Sequence, residues 1–353
     1  MARLRRGLAR ALAREWPQMR RACRRLARQK PTPIEVRQTS VRSLPVIATV
    51  ATDGGENRLL LDPIRIRILR VADNLGEIHF EEFFAQSQPP AEATKQLCQA
   101  NPEFADFLNS LGLRPGDLAP RSDGERRQYL SMLRELLEWA ALLKLAGGTT
   151  PRLLLRDGLL RSVAMKEGVF RRLQTKFEQL TRRHGHLLAG VAKRSRVANY
   201  LAVALGVNES FAGAAPGYLA IPPAVEREAA PAQYRWIGPR AMGRLFLARL
   251  ARGENIPLLP VDLAAWQMER APEVMAALYE SARASFPRRG YPQALAVAHE
   301  HACLGHLEIA MLEHLLAEQM EIHSPAVAAQ VRRLRLAGQA MVEDANDEQG
   351  RPA

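Results

Sequence analysis

Two carboxylates close matched β-forming runs: Asp53 follows Val46-Ile47-Ala48-Thr49-Val50-Ala51-Thr52, and Asp157 follows Arg152-Leu153-Leu154-Leu155-Arg156, each with glycine next. A strand that delivers an acid at its last position, with glycine to let the backbone turn, presents that acid at the carboxyl edge of a sheet. A single Asp-Gly reads as a tight turn. Two matched ones point to a pair of carboxylates that repel one another when empty and accept a hard divalent cation between them. A third run, Leu187 to Ala192, ends in Lys193, a cation suited to offsetting negative charge at the same edge.

Further candidates lie outside the strands. Glu135 and Glu138 sit on a helical stretch, and Glu138 has Ala141, Leu142 and Leu145 at i+3, i+4 and i+7, which points it toward packed surface. Near the C-terminus, His299, Cys303 and His306 share one helical face at i, i+4 and i+7. They invite a zinc reading, but His-Glu-x-x-His is not completed, because Cys303 stands at the second histidine position. A single histidine set against metal or phosphate beside the two aspartates is the more economical reading.

The elements that must position these groups follow from periodicity and punctuation. Val46–Thr52, Arg58–Val71 and Glu77–Phe84 read as three antiparallel strands, the second with Ile64, Ile66 and Ile68 alternating against Arg65 and Arg67. Residues 86–122 read as an insertion with short helical patches. Asp123–Ala146 reads as a helix stopped by Gly147-Gly148, Arg152–Arg156 as a fourth strand, Ala164–Arg183 as a helix and Leu187–Ala192 as a fifth strand. If strand four adds parallel to strand one and strand five parallel to four, through right-handed crossovers, Asp53, Asp157 and Lys193 emerge at one edge. That order predicts a ribonuclease H-like, five-stranded mixed α/β sheet with flanking helices. Alternation along strand four must turn Arg156 away from Asp157 for such a site to work. After a Gly213–Pro231 loop, strands are expected around Tyr234–Gly238, Arg244–Leu250 and Pro257–Pro260. A mainly helical part follows, with Glu273–Ser285, a long run over Gln293–Met320 and Ser324–Ala345. The chain thus divides into an arm and linker over residues 1–40, a core over 41–205, a C-terminal part over 206–345 that completes the site, and a tail over 346–353.

The 353 residues are 47% apolar and carry a net charge of +13. Residues 1–30 hold eleven Lys or Arg against one acid, Glu15, so most of that excess belongs to an amphipathic basic arm. Such an arm suits phosphates, an anionic membrane, a protein partner or the role of an Arg-rich, acid-poor organelle transit peptide. The reading favours a cytoplasmic protein without membrane attachment. No apolar run approaches transmembrane length, no secretory leader pattern is present, and Cys23, Cys98 and Cys303 make no disulfide or zinc-ribbon framework. No Gly-x-x-x-x-Gly-Lys-Ser/Thr occurs, so any ATP-driven motor must come from a partner.

At these residues the chain resembles the NurA family, the nuclease partners of the HerA hexameric DNA translocase. The resemblance rests on Ala51-Thr52-Asp53-Gly54-Gly55, Glu138-Trp139-Ala140-Ala141, Leu154-Leu155-Arg156-Asp157-Gly158-Leu159, Leu188 through Ser195, and Gly290-Tyr291-Pro292 through Ala298-His299. It departs from the family at Gly55, where serine is usual, and at Arg156, where an apolar residue is. It implies a homodimer enclosing a DNA channel and Mn²⁺- or Mg²⁺-dependent cleavage of DNA in end resection during double-strand break repair. One or two ions are expected on Asp53, Glu138, Asp157 and His299, with Asp53 bridging if there are two. Lys193 is expected to offset charge, and Arg194, Arg196, Tyr291, Arg65 and Arg67 to contact DNA. The alternative is a non-catalytic nucleic-acid-binding adaptor or clamp of such a translocase.

Overall fold

One strand, Ala48–Leu61, organises the molecule, and it corrects the first turn that the sequence suggests: the backbone runs straight through Asp53-Gly54-Gly55 instead of turning there. The computed structural model describes residues 2–26, 30–34, 48–61, 64–193, 196–207, 211, 215–229, 238, 240–253 and 255–334. In chain order its elements begin with α1 (Ala2–Leu26), β1 (Thr32–Pro33), β2 (Ala48–Leu61), β3 (Ile64–Asp73), β4 (Ile78–Ala85), α2 (Pro90–Ala100), α3 (Pro102–Ser110), α4 (Asp123–Arg127) and α5 (Tyr129–Ala146). There follow β5 (Arg152–Asp157), α6 (Glu167–His184), β6 (Leu187–Val191), α7 (Arg196–Val207), β7 (Gly217–Ala220), α8 (Pro223–Ala229), β8 (Gly243–Arg249), β9 (Leu259–Ala264), α9 (Ala271–Ala282), α10 (Gln293–Ala302) and α11 (His306–His323).

Among the described residues nine strands form a single mixed sheet in the order β1-β7-β8-β9-β6-β5-β2-β3-β4, larger than the five strands expected. β2, β3 and β4 form the antiparallel meander. β5 pairs parallel with β2, setting Thr52 opposite Arg156, and β6 pairs parallel with β5, setting Asp157 opposite Val191. The other four strands extend the sheet beyond β6 by antiparallel pairing. β1 comes from the linker after α1; β8 and β9 overlap the strands expected at Arg244–Leu250 and Pro257–Pro260, β7 and α8 lie in the Pro-, Gly- and Ala-rich stretch that hides them, and the strand expected at Tyr234–Gly238 lies almost wholly outside the described residues.

Alternation along β5 shows how the sheet is covered. Leu154 packs on one face with Leu133, Trp139, Phe170 and Phe177 of α5 and α6, while Leu153 and Leu155 pack on the other with Leu278, Leu295 and Ala298 of α9 and α10. Burial on both faces makes β5 a continuous apolar run broken only near its end. The insertion at 86–122 builds α2 and α3, whose Leu97, Phe104 and Phe107 join the α5 core. The helix expected over Asp123–Ala146 is interrupted at Gln128 (φ −95°, ψ 2°), which separates α4 from α5. The long C-terminal run likewise breaks at Cys303–Gly305, so His306 opens α11 rather than continuing the face of His299. The basic arm does not stand apart: α1 packs on α7 and α8 through Leu26 and Cys23, leaving Leu4, Leu8, Leu12 and Trp16 exposed at fourfold spacing.

Candidate metal centre

Cross-strand pairing decides which groups meet. Asp53 lies opposite Ala72 on the face covered by α10, and Asp157, one residue beyond Arg156, emerges on that face from the neighbouring parallel strand. His299 of α10 arrives from above, with Nδ1 2.6 Å from Asp53 Oδ2. One ligand atom from each of Asp53, Asp157 and His299 fits within 4.8 Å of the others. Two carboxylates and an imidazole at that separation form a donor set suited to Mn²⁺, and with water to Mg²⁺. Lys193, just past β6, places Nζ 2.8 Å from Asp157 Oδ2 and so offsets part of the negative charge. Burial, then the charge of Asp53, push the Asp157 carboxyl above its ordinary pKa, against the pull of Lys193.

Tyr291, expected to contact DNA, is a core residue beside this centre. Its ring is 5% exposed and built into the core under α9 and α10, so only its hydroxyl faces the acids. That hydroxyl is buried beside Asp157, and burial, then the Asp157 carboxylate, hold it above its ordinary pKa.

The expected helix ligand lies across the strand. Glu138 is 2% exposed on the α5 face, where its carboxylate accepts from Arg156 at 2.9 Å and pairs with Arg134 at 3.2 Å. Arg156 faces away from Asp157, as the site requires, and it lies 4.7 Å over the Trp139 ring while reaching Glu135 at 3.4 Å and the Leu159 carbonyl at 2.6 Å. Glu135 accepts from Ser162 at 2.8 Å and stays farther from the strand. Burial pushes the Glu138 carboxyl up to about 7 despite the two arginines. Glu138 therefore neighbours Asp53 without sharing its cluster.

Both glycines after Asp53 act by lacking a side chain, not by turning. A β-carbon on Gly54 would stand 2.5 Å from Glu138 Oε1, and one on Gly55 would stand 2.1 Å from the Ala302 carbonyl oxygen. The first absence lets the Glu138 carboxylate reach β2 beside Asp53; the second lets the end of α10 close onto the same strand. By contrast Gly158 adopts φ +120° and turns in earnest. The end of α10 is also held by His301, whose ring lies 2.9 Å from the Asp73 carbonyl. Asp73 itself organises the β3–β4 turn, accepting from Leu75 and Glu77 and meeting the buried His79 at 3.1 Å. The alternating Glu77 and His79 side chains signal this second His–acid group, which the sequence reading passed over.

The expected DNA contacts spread more widely. Arg67 and Arg65 lie five and seven residues along β3 from Ala72, roughly 17 and 24 Å from the centre at the strand rise. Arg67 bonds Glu56 at 3.0 Å. Arg194 lies outside the described residues, and Arg196 opens α7.

A large mixed sheet carrying a carboxylate–imidazole cluster between the end of β5 and the middle of β2 defines an α/β protein with a candidate metal centre. A family model, the NurA domain, matches residues 48–303, and the chain belongs to that family. It is similar to the NurA nuclease structure from Sulfolobus solfataricus at 14% identity and TM-score 0.48, covering 92% of this chain and 98% of that one. It is also similar to a NurA structure bound to dAMP and manganese, at 11% identity and TM-score 0.35 over 87% and 93% of the two chains. A NurA structure with manganese aligns at 11% identity and TM-score 0.37 over 90% and 98%. No curated protein matches the sequence.

Proposed function

We propose that the protein is a metal-dependent DNA nuclease with a ribonuclease H-like catalytic core, and that the convergence of Asp53, Asp157 and His299 from β2, β5 and α10 within 4.8 Å carries this reading. Those three residues would hold one or two Mn²⁺ or Mg²⁺ ions. A bound ion of this class polarises a phosphoryl oxygen and lowers the pKa of its water. With two ions, Asp53, which lies between His299 and Glu138, would be the carboxylate shared by both. Glu138 approaches from the α5 face and can join only by loosening its pairing with Arg134, whose side chain is partly exposed. Lys193 offsets charge developing on phosphate, and the Tyr291 hydroxyl orients Asp157 or an ordered water. Phosphate contacts carry little sequence information, so cleavage is largely sequence-independent.

Family membership supports a place beside a HerA-type ATP-driven translocase in end resection during double-strand break repair, acting in the cytoplasm as a homodimer. The exposed Leu4, Leu8, Leu12 and Trp16 stripe of α1 offers the partner a surface. Among the described residues no helix is long and apolar enough to cross a membrane. Digestion of end-labelled DNA with Mn²⁺, Mg²⁺ or chelator tests the reading: cutting that needs the metal supports it, and unchanged cutting in chelator refutes it. Absence of cutting under all three conditions, with DNA still bound, favours the adaptor or clamp. An RNA competitor that suppresses cutting better than DNA would move the substrate to RNA.

A further inference from the structure

We propose that α1 carries a binding site for single-stranded DNA, built from Trp16 and the arginines that follow it, apart from the Asp53–Asp157–His299 centre. Only the class of substrate is taken from the nuclease reading. A shallow groove runs along α1, and Ala13, Trp16, Pro17, Arg20, Arg21 and Arg24 are among the residues that line it. The indole is 47% exposed, with the small Ala13 one turn before it. Arg20, Arg21 and Arg24 are exposed and paired to no acid among the described residues. They belong to a helix with nine arginines and one acid, Glu15.

The arrangement selects the ligand. At about 100° per residue, Arg20 stands about 40° and Arg24 about 80° round the helix from Trp16, so ring and guanidinium groups share one face. A helix that lies on a membrane separates its apolar face from its cations. Here they alternate along the groove, as a strand alternates bases with phosphates: a base stacks on the indole while the forks of the arginines take neighbouring phosphates. A duplex keeps its bases stacked inside and offers the ring nothing. The site also stands away from the metal centre. Leu26 anchors α1 among Leu219, Leu245 and Leu247 of β7 and β8. β8 is four strand spacings, about 19 Å, from β2. The rest of α1 packs on α7 and α8, so a phosphate gripped there lies away from Asp53 and Asp157. The Leu4 and Leu8 end of the stripe lies outside the groove and stays open to a protein partner.

Fluorescence anisotropy of the full chain with a labelled 20-nucleotide oligothymidine, in chelator so that nothing is cut, tests the site. Replacing Arg20, Arg21 and Arg24 together by Ala is expected to weaken binding about 10-fold or more at 0.1 M salt and to reduce the log–log salt slope by about 2. Trp16→Ala is expected to weaken binding about 5-fold or more with the slope unchanged, and Trp16→Phe to keep most of the affinity. Circular dichroism checks that each variant folds, and because the arginine and tryptophan variants are independent, either one decides if the other does not. Wild-type affinity and slope in the arginine variant overturn the proposal, as does loss of binding to phosphatidylserine vesicles with DNA binding intact. A blunt duplex or an oligouridine bound more tightly than the oligothymidine overturns the choice of ligand. A protein that binds through α1 yet never cuts with Mn²⁺ or Mg²⁺ overturns the nuclease reading alone; one that cuts with metal while its α1 variants bind like the wild type overturns this site alone.

Discussion

The sheet meets acids on both of its faces beside β2 and treats them in opposite ways. On the α10 face, Asp53 and Asp157 meet a histidine and a half-exposed lysine, groups that can yield to an incoming ion. On the α5 face, Glu138 and Glu135 are closed in with Arg156 beneath Trp139 and Leu136. The contrast shows that acidity alone does not make a metal site. The arginines offset only part of the cost of burying Glu138, whereas Asp53 and Asp157 face one another where one ion could serve both.

The comparison breaks most sharply at Asp157. Asp157→Asn is expected to lower DNA cleavage more than about 100-fold at saturating Mn²⁺, with folding retained by circular dichroism. Because the Asp157 pKa is raised, protons compete with metal there, and Mn²⁺ affinity should rise with pH in the wild type and lose most of that dependence in the variant. On the other face, Arg156→Leu is expected to remove the guanidinium that Glu138 and Glu135 share, leaving them only Arg134 and Ser162, and to cost about 3–5 kcal/mol in denaturant unfolding.

Glu138 sharpens the contrast through pH. Its folded pKa, about 7, lies above the ordinary 4.5, so its contribution to stability is full below about pH 4.5 and is lost as pH rises through 7. Thermal unfolding of Glu138→Gln should be flatter across that window than the wild type. Gly55→Ser is expected to act through α10: a β-carbon there collides with the Ala302 carbonyl, displacing His299 and weakening Mn²⁺ binding while Asp53 and Asp157 remain. Arg65→Ala should have the smallest effect, a modest loss of DNA affinity that disappears at high salt.

The sequence was most legible where one signal sufficed. Asp157 and Lys193 end apolar runs that do become parallel neighbours, and alternation did turn Arg156 away. The matched Asp-Gly at position 53 misled, because that dipeptide favours a turn locally, while the tertiary approach of Glu138 and Ala302 requires glycines in an unbroken strand. The helix breaks at Gln128 and at Cys303–Gly305 interrupt continuous apolar periodicity, which carries no record of where the chain must change direction to meet the sheet. The partners of Glu138 were equally hidden: Arg134 is one turn away, but Arg156 reaches it only through the crossing of α5 over β5.

The central claim is that the α10 face of β2 is the metal-binding, DNA-cutting face, and Asp53→Ala tests it most directly. Mn²⁺ binding and cleavage of end-labelled DNA would be measured together on the folded variant and the wild type. Both are expected to be lost in the variant; a folded Asp53→Ala protein that binds Mn²⁺ and cuts DNA at the wild-type rate would contradict a metal-binding, DNA-cutting role for this face.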